Sequence, residues 1–299
     1  MPEFQIKKCP VCDKNVFSYF LTTTDYYISG EQFDIKQCTG CGMKFTFNAK
    51  DEEQSGRYYQ SEEYISHSNT GKGLVNTIYL LVRNYMLKRK RNLIERGFNK
   101  KKGHILDVGA GTGYFLREMK RHGWQITGTE KSPQARKFAE EKLKVKLNRA
   151  EELFRFNDKN FDVITLWHSL EHIHLLNENM NEFFRLLKPE GKLVIAVPNR
   201  TSYDARHYRE YWAAWDVPRH LWHFARIQME QLGEKHGFSL KNTHNMPFDS
   251  FYVSILSEKY KGSAFPVLKG LLFGKISWII SLTGKGRGSS VIYVFEKKR

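Results

Sequence analysis

Four cysteines stand in two pairs near the beginning of the 299-residue chain, with a spacing typical of metal ligands. The pairs are Cys9-Pro-Val-Cys12 and Cys38-Thr-Gly-Cys41, and together they contain every cysteine of the sequence. Each CxxC can form a tight turn that directs two thiolates at one ion, and two such turns complete the tetrahedral site of zinc. Redox dithiols or four buried thiols are the alternatives. Four thiolates leave no position for water, so we expect a structural zinc ion in a ribbon over residues 1–50.

A glycine-rich turn follows an apolar stretch near the middle of the chain. Residues 104–116 run HILDVGAGTGYFL, which predicts a strand, a turn and a helix. Its three glycines, which would let a ligand approach the backbone at the carboxyl end of the strand, are Gly109, Gly111 and Gly113. Glu130 ends the next predicted strand, where a carboxylate can accept hydrogen bonds from two ribose hydroxyls. The pattern predicts a nucleotide-type cofactor site. An NAD-type site is disfavoured because its fingerprint spaces the glycines as GxGxxG.

Histidines and aromatic residues are concentrated in residues 203–224, which end in WDVPRHLWHF. This segment follows a predicted strand and should lie over the carboxyl ends of the strands, where ligands bind in such folds. His220 is the first candidate for a general base or acceptor-binding group, with Asp216 orienting it. His172, in Leu-Glu-His, is a further catalytic candidate. The alternative is a structural cluster in which Asp216, Arg219 and His220 fasten the segment.

Strands and helices alternate along the central part of the sequence. Predicted strands at 125–130, 161–167 and 192–197 are separated by helical segments, one of them at 179–187. This alternation predicts a parallel sheet wrapped by helices. We expect a helical linker over 51–103 and a catalytic domain over 104–299, with a lid at 201–225 and an insertion at 246–288.

The motifs LDVGAGTG, FDVI, LEH and LKPEGKLVIAVPN, with Glu130, resemble the class I S-adenosylmethionine-dependent methyltransferases over about residues 100–200. The resemblance implies an α/β fold with a Rossmann-like, seven-stranded, mostly parallel sheet that ends in an antiparallel pair, here 239–244 with 290–296. It implies that Asp107 and the glycine loop hold the methionine part, Glu130 the ribose, and Ala150 with Glu151 or Glu152 the adenine. The implied cofactor-binding residues are Asp107, Gly109, Ala110, Gly111, Gly113, Glu130, Glu151, Trp167 and His168.

The resemblance also implies a function. The element WDVPRHLWHF is similar to one found in bacterial small-molecule methyltransferases that modify sugars, quinones or lipids. We therefore expect methyl transfer from S-adenosylmethionine to a small-molecule or lipid-like acceptor. A zinc ribbon on this fold also resembles ribosomal RNA base methyltransferases, which makes an RNA acceptor the alternative. A cofactor-binding scaffold without catalysis is the third hypothesis, and the intact glycine loop argues against it.

The net charge of +16 comes largely from two basic segments, residues 83–102 and 259–299, each with nine basic residues and one acid. The insertion at 246–288 combines apolar residues with lysines, which suits an interfacial helix on an anionic membrane. A lid that packs its apolar face on the sheet is the alternative. The run Lys88-Arg-Lys-Arg91 is typical of a solvated helix face, although it could neutralise RNA phosphates. No signal peptide or membrane span is predicted, so we expect a cytoplasmic protein, with peripheral membrane contact left open.

Overall fold

The computed structural model describes residues 4–52, 54–59, 74–97 and 102–298. The chain divides into two units. Unit 1 contains Met1–Gln60, His168–Met180 and Ile195–Lys298. Unit 2 contains Ser61–Trp167, Asn181–Val194 and Arg299. The two units are described separately below.

The described strands are β1 (Phe17–Thr24), β2 (Gln32–Cys38), β3 (Lys44–Thr46), β4 (His104–Val108), β5 (Gln125–Thr129), β6 (Phe161–Trp167), β7 (Leu187–Pro198), β8 (Trp222–His223), β9 (Phe238–Asn245) and β10 (Ser290–Lys297). The described helices are α1 (Leu74–Gly97), α2 (Tyr114–Arg121), α3 (Pro133–Phe138), α4 (Leu176–Leu186), α5 (Tyr203–Tyr208), α6 (Arg226–Lys235), α7 (Asp249–Tyr260) and α8 (Pro266–Leu282). Short 3₁₀ segments include Ala150–Arg155, Leu170–His172 and Arg209–Tyr211.

Unit 2 is built on parallel strands. β4 lies between β5 and β6 and pairs with both in parallel, with Leu106 opposite Thr127 on one side and Ile164 on the other. These strands are short apolar runs, and Leu106 and Ile164 are fully buried, as expected of strands covered on both faces. α2 follows β4 after the glycine turn and buries Leu116 and Met119. The strand, glycine turn and helix predicted at 104–116 are confirmed.

The larger sheet has the strand order β5-β4-β6-β7-β10-β9, with β7 divided between the two units. β9 and β10 are antiparallel, as predicted, with Tyr293 opposite Thr243. Among the described residues this sheet has six strands, so the prediction of seven was wrong. The seventh is reduced to one parallel bridge between Thr129 and Asn148. Two backbone hydrogen bonds form this bridge, from the N–H of Asn148 to the carbonyl of Gly128 and from the N–H of Glu130 to the carbonyl of Asn148.

Unit 1 contains a smaller antiparallel sheet in the order β1-β2-β3-β8. β3 pairs with β8 through Phe45 and Trp222, so the cysteine-rich segment shares a sheet with the histidine-rich segment predicted as a lid. A core of buried aromatic and aliphatic side chains joins the two segments. Its members include Phe33, Ile35, Tyr58, Tyr208, Trp212 and Trp215.

The insertion at 246–288 forms α7 and α8, which pack against each other within unit 1. α8 buries its small residues, Gly270, Gly274, Ser277 and Ser281. A Cβ at Gly270 would lie 2.5 Å from the Cα of Ile255, so only glycine allows this close approach. Several large apolar side chains of α8, Leu268 and Leu272 among them, are exposed, whereas Phe273 packs against the buried core near Tyr208. The lid alternative for this insertion stays a prediction.

Candidate functional site

The glycine-rich turn of unit 2 is tied to the end of β5 by backbone hydrogen bonds. Gly109 and Ala110 both donate their N–H to the carbonyl of Thr129 at 2.9 Å. The N–H of Gly111 donates to Oε2 of Glu130 at 2.8 Å, and the N–H of Ser132 donates to Oε1 at 2.8 Å. Each carboxylate oxygen of Glu130 thus has one backbone donor and retains accepting capacity for a ligand hydroxyl.

Gly111 leaves open space in front of the turn. Its φ is +53°, and an added Cβ would meet no heavy atom within 4 Å. Gly113 differs, because a Cβ there would lie 3.2 Å from Cβ of Ala139. The space at Gly111 suits the predicted approach of a ligand to the backbone, whereas Gly113 lies against Ala139 and Val145.

Asp107 ends β4 beside this turn and is almost completely buried. Burial raises the pKa of its carboxyl to about 7, while the hydrogen bond from Thr165 Oγ1, at 2.6 Å, and the charge of Lys90 act in the opposite direction. A bound cation or hydrogen-bond donor would stabilise the ionised form. The ammonium of a methionine moiety is such a group, so this carboxyl suits the predicted role.

Trp167 ends β6 and carries a buried donor. Its indole contacts Phe115 edge-on at 5.3 Å, and Lys90 Nζ lies 4.4 Å from the ring centroid. Its Nε1 has no hydrogen-bond partner among the described residues. A buried donor without a partner is unfavourable by about 1–3 kcal/mol, which indicates a ligand acceptor at this position.

Two acidic residues were candidates for flanking the adenine. Glu152 Oε1 accepts the N–H of Arg149 at 3.1 Å and so caps the segment Ala150–Arg155. Glu151 is exposed. Capping occupies Glu152, so Glu151 stays the predicted adenine neighbour.

Unit 1 brings together the three residues predicted to be catalytic. The rings of His172 and His220 lie 4.6 Å apart, edge to face. Nε2 of His220 lies 3.6 Å from Oδ2 of Asp216. A carbonyl oxygen only accepts hydrogen bonds. Nδ1 of His220 therefore donates to the backbone carbonyl of Ala214 at 2.9 Å, and Nδ1 of His172 donates to the backbone carbonyl of Arg219 at 3.0 Å. Nε2 of His220 is therefore the nitrogen that can accept a proton.

Glu171 belongs to the same cluster, although sequence reasoning did not single it out. Its side chain is completely buried, and its Oε1 lies 4.0 Å from Nε2 of His220. Its Oε1 also lies 3.4 Å from Nδ1 of His168. Burial alone would raise the pKa of Glu171, but the hydrogen bond from His168 and the charge of His220 lower it. The acid directly before His172 in the sequence was the available signal.

His168 and His172 differ in charge. Burial lowers the pKa of His172 to about 4, with repulsion from His220 adding to the effect. Burial would also lower the pKa of His168, but hydrogen bonds to Asp249 at 3.2 Å and Glu171 at 3.4 Å raise it to about 9. At neutral pH His172 is neutral and His168 is an imidazolium, so His168 does not act as a base. Its predicted place beside the cofactor stays a prediction.

Arg219 anchors the cluster to the N-terminal segment. Its guanidinium, which is almost completely buried, donates to Asp25 Oδ1 at 2.9 Å and to Asp216 Oδ1 at 2.6 Å. Asp216 thus binds Arg219 through one oxygen and directs the other toward His220. The ion pair of Asp216 with Arg219 that the sequence suggested is present, and the orientation of His220 by Asp216 stays a prediction.

The four cysteine sulfurs of unit 1 lie within 4.8 Å of one another. The distance is 3.5 Å both for Cys9 to Cys41 and for Cys12 to Cys38, and all four are free thiols. Zn–S bonds of about 2.3 Å in a tetrahedron would set the sulfurs about 3.8 Å apart. The two cysteine turns are alike. In the second turn Gly42, with φ +74°, donates its N–H to the carbonyl of Cys38 at 2.9 Å. The donor set and spacing fit a zinc ion.

Comparisons with known proteins identify the family of this chain. Residues 82–242 match the family described as "Methyltransferase domain". The chain is 26% identical over 160 residues to a sterol 4-C-methyltransferase of Caenorhabditis elegans, covering 45% of this chain and 48% of that protein. It is 34% identical over 104 residues to a ubiquinone biosynthesis O-methyltransferase of Xanthomonas oryzae, covering 32% of this chain and 44% of that protein. The chain thus spans about half the length of these curated relatives.

A solved structure shows the same fold. The magnesium protoporphyrin IX methyltransferase of Synechocystis, solved with bound SAH, has a TM-score of 0.55 and 11% sequence identity. The alignment covers 83% of this chain and 100% of that chain. The family match extends over more than half of the sequence and includes both the glycine turn and the cluster around His220. The chain belongs to the methyltransferase-domain family.

Proposed function

We propose that this protein transfers the methyl group of S-adenosylmethionine to a lipid-like small molecule, with His220 as the base that receives the acceptor's proton. The proposal is supported by a glycine turn tied to Glu130 in unit 2 and by a buried histidine–carboxylate cluster within unit 1. The names of two relatives, a sterol and a ubiquinone methyltransferase, support a lipid-like acceptor class.

Four residues would hold the cofactor, since each offers an unused acceptor, donor or space. They are Asp107, Gly111, Glu130 and Trp167. When bound, S-adenosylmethionine supplies a methyl group that its sulfonium already activates. The protein's remaining tasks are to orient the acceptor, exclude water and receive a proton.

His220 is placed to receive that proton at Nε2. Its Nδ1–H is held by the carbonyl of Ala214, which fixes the ring and leaves Nε2 as the accepting atom. The carboxylates of Glu171 and Asp216, 4.0 Å and 3.6 Å from Nε2, would stabilise the imidazolium that forms. The neutral ring of His172 adds no opposing charge at neutral pH.

The outward face of α8 supports peripheral contact with an anionic membrane. Leu268 is 70% exposed and Leu282 is 67% exposed, and five further large apolar side chains of this segment are also exposed. These are Phe265, Val267, Leu271, Leu272 and Ile279. The exposed lysines Lys269, Lys275 and Lys285 accompany them. An apolar face with flanking lysines suits the boundary between headgroups and acyl chains.

No helix among the described residues is long and apolar enough to cross a membrane. Contact through α8 would therefore be interfacial. A lipid-like acceptor could then be taken from the membrane surface.

Replacing Leu268 and Leu272 by serine should weaken binding to vesicles that contain anionic phospholipid. Two exposed leucines that enter the interface each contribute hydrophobic transfer energy, so we expect at least about a tenfold loss. Co-sedimentation with vesicles measures it. The matched control is Ile227→Ser on α6, which removes an equally apolar side chain that is 59% exposed. Equal loss in the control and the double variant would argue against α8 as the binding face.

Zinc in the cysteine site is the second part of the proposal, supported by the sulfur distances. Cys38→Ser should lower the zinc content, which elemental analysis of the purified protein measures. Because metal binding supplies folding energy to small metal-bound units, the thermal midpoint should fall by ~5 °C or more. Thr39→Ser, which changes the neighbouring exposed residue and keeps the thiolate, is the control. A fully folded wild-type protein without zinc would contradict the assignment.

Transfer of radiolabel tests the acceptor class. The purified protein is incubated with methyl-labelled S-adenosylmethionine and a cell extract, which is then separated into organic-soluble, nucleic-acid and aqueous fractions. Label in the organic fraction supports a lipid-like acceptor. Label in RNA would replace that acceptor with RNA, and label in the aqueous fraction would point to a polar small molecule. Absence of label with intact cofactor binding would contradict the proposed catalysis.

A further inference from the structure

A cleft with a volume of about 550 Å³ opens in unit 1 among β1, β3 and the segment around α5. Four of its lining residues are cations and one, Glu210, is an acid. We call it the basic cleft and define it by Lys44, Arg200, Arg206, Arg209, Phe20 and Trp215. These residues are separate from the cluster of Glu171, His172 and His220.

Two of the four cations, Lys44 and Arg200, are not fully exposed to water. Lys44 is only 8% exposed, and its Nζ lies 2.9 Å from the ring centroid of Phe20. Arg200 donates to neutral acceptors, namely the carbonyls of His223 and Gly42 and the amide oxygen of Gln228. Within the described part of the chain, no carboxylate forms an ion pair with either side chain. Buried charges in proteins are normally paired, but the one acidic residue that lines the cleft, Glu210, forms no ion pair with Lys44 or Arg200.

Burial lowers the pKa of both Lys44 and Arg200. Burial lowers the pKa of Lys44 to about 7, and the neighbouring charge of Arg200 contributes. Burial lowers the pKa of Arg200 to about 10, although the charge of Cys41 acts in the opposite direction. A bound anion would relieve both effects, because an opposite charge favours the ionised form of each cation.

Arg206 and Arg209 extend the charge to the open side of the cleft. Both are exposed, and neither forms an ion pair with the residues that the structure describes. Arg209 has φ 50° and ψ −120°, an unusual backbone conformation for a residue with a side chain. Nε1 of Trp215 donates to its carbonyl at 2.7 Å and holds this conformation. Strain of this kind persists where the surrounding structure enforces it, often at ligand sites.

We infer that the basic cleft is a binding site for a phosphate-bearing ligand, whose oxygens would supply the missing negative charge. Guanidinium groups match phosphate oxygens in a fork geometry, and lysine adds a compact charge. The volume is that of a small-molecule site. Binding there requires neither S-adenosylmethionine nor the methyl acceptor proposed above.

Isothermal titration of the full-length protein tests this site with two probes, inorganic pyrophosphate and short-chain phosphatidic acid. The first represents a free phosphate ligand and the second a lipid headgroup. Lys44→Met keeps the length of the side chain and removes the buried charge, so folding should be retained. Arg206→Gln combined with Arg209→Gln removes two exposed charges. The control pair is Lys241→Gln with Lys259→Gln, which changes net charge equally at exposed positions outside the cleft.

We expect at least one probe to bind, with affinity reduced about tenfold or more in Lys44→Met and in the double arginine variant. The control pair should bind as the wild type does. Preference for phosphatidic acid would assign the cleft to lipid headgroups, and preference for pyrophosphate to soluble phosphates. Failure of both probes with wild type, or equal affinity in the cleft variants and the control, would overturn the inference. Affinity for S-adenosylmethionine, measured in parallel, separates this outcome from failure of the proposed methyl transfer.

Discussion

Gly111→Arg should abolish binding of S-adenosylmethionine. The space in front of Gly111 is open, since an added Cβ would meet no heavy atom within 4 Å, and an arginine side chain would fill it. The left-handed φ of +53° adds backbone strain for any residue with a Cβ. The N–H of Gly111 also donates to Glu130, so distortion of the turn would move the proposed ribose ligand. We expect calorimetry to show an affinity loss of at least about 100-fold, or about 2.8 kcal/mol.

Gly30→Arg is a matched control for this variant. Gly30 has φ +69° and open space around its Cβ position, but it lies in the turn between β1 and β2 of unit 1. The same strain and the same added side chain should therefore leave cofactor affinity unchanged. Unchanged affinity in Gly111→Arg would remove the glycine turn from the cofactor site. Equal loss in both variants would indicate a general effect on folding.

His220→Asn should slow methyl transfer by about 100-fold or more while leaving cofactor affinity intact. The asparagine amide can take over the hydrogen bond that Nδ1 donates to Ala214, so the variant removes mainly Nε2. Without Nε2, no group of this side chain can receive the acceptor's proton. Label transfer into the fraction that contains the acceptor measures the rate, and calorimetry measures the cofactor affinity.

His236→Asn is the control for His220→Asn. His236 also lies in unit 1, and its Nε2 contacts Asn177 Oδ1 at 2.9 Å, away from the carboxylates of the cluster. It should retain the wild-type rate. Full turnover in His220→Asn would show that His220 is not the base. A parallel loss of cofactor affinity would instead indicate a structural role for the histidine.

Features that depend on neighbouring residues in the sequence were predictable. The strand, glycine turn and helix at 104–116 are contiguous, so local backbone preferences and the positive φ of Gly111 determine their geometry. The same holds for the cysteine turns, where Gly42 takes a left-handed conformation. The antiparallel pair of β9 and β10 was predicted from the family resemblance and is present. A nucleotide-type cofactor site and a zinc ion were predicted from these local patterns, and S-adenosylmethionine was predicted from the family resemblance.

Contacts between distant segments were decided by the tertiary structure. Glu171 and His220 are 49 positions apart, and Lys44 and Arg200 are 156 apart, so their juxtaposition depends on how the segments pack. The same applies to Asp249, which pairs with His168 and could not be assigned from sequence.

The sequence by itself determined the glycine turn, the cysteine pairs and the alternation of strands and helices, because each is a pattern of near neighbours. The composition of α8 also predicted an apolar face, but not which face would be buried. Packing buried the small residues, since Gly270 and Gly274 allow the backbone of α7 to approach, and left Leu268 exposed. Packing likewise reduced the seventh strand to the bridge at Asn148 and enclosed Lys44 without a counter-charge. Burial is a property of the assembled fold, so only the tertiary structure decided these features.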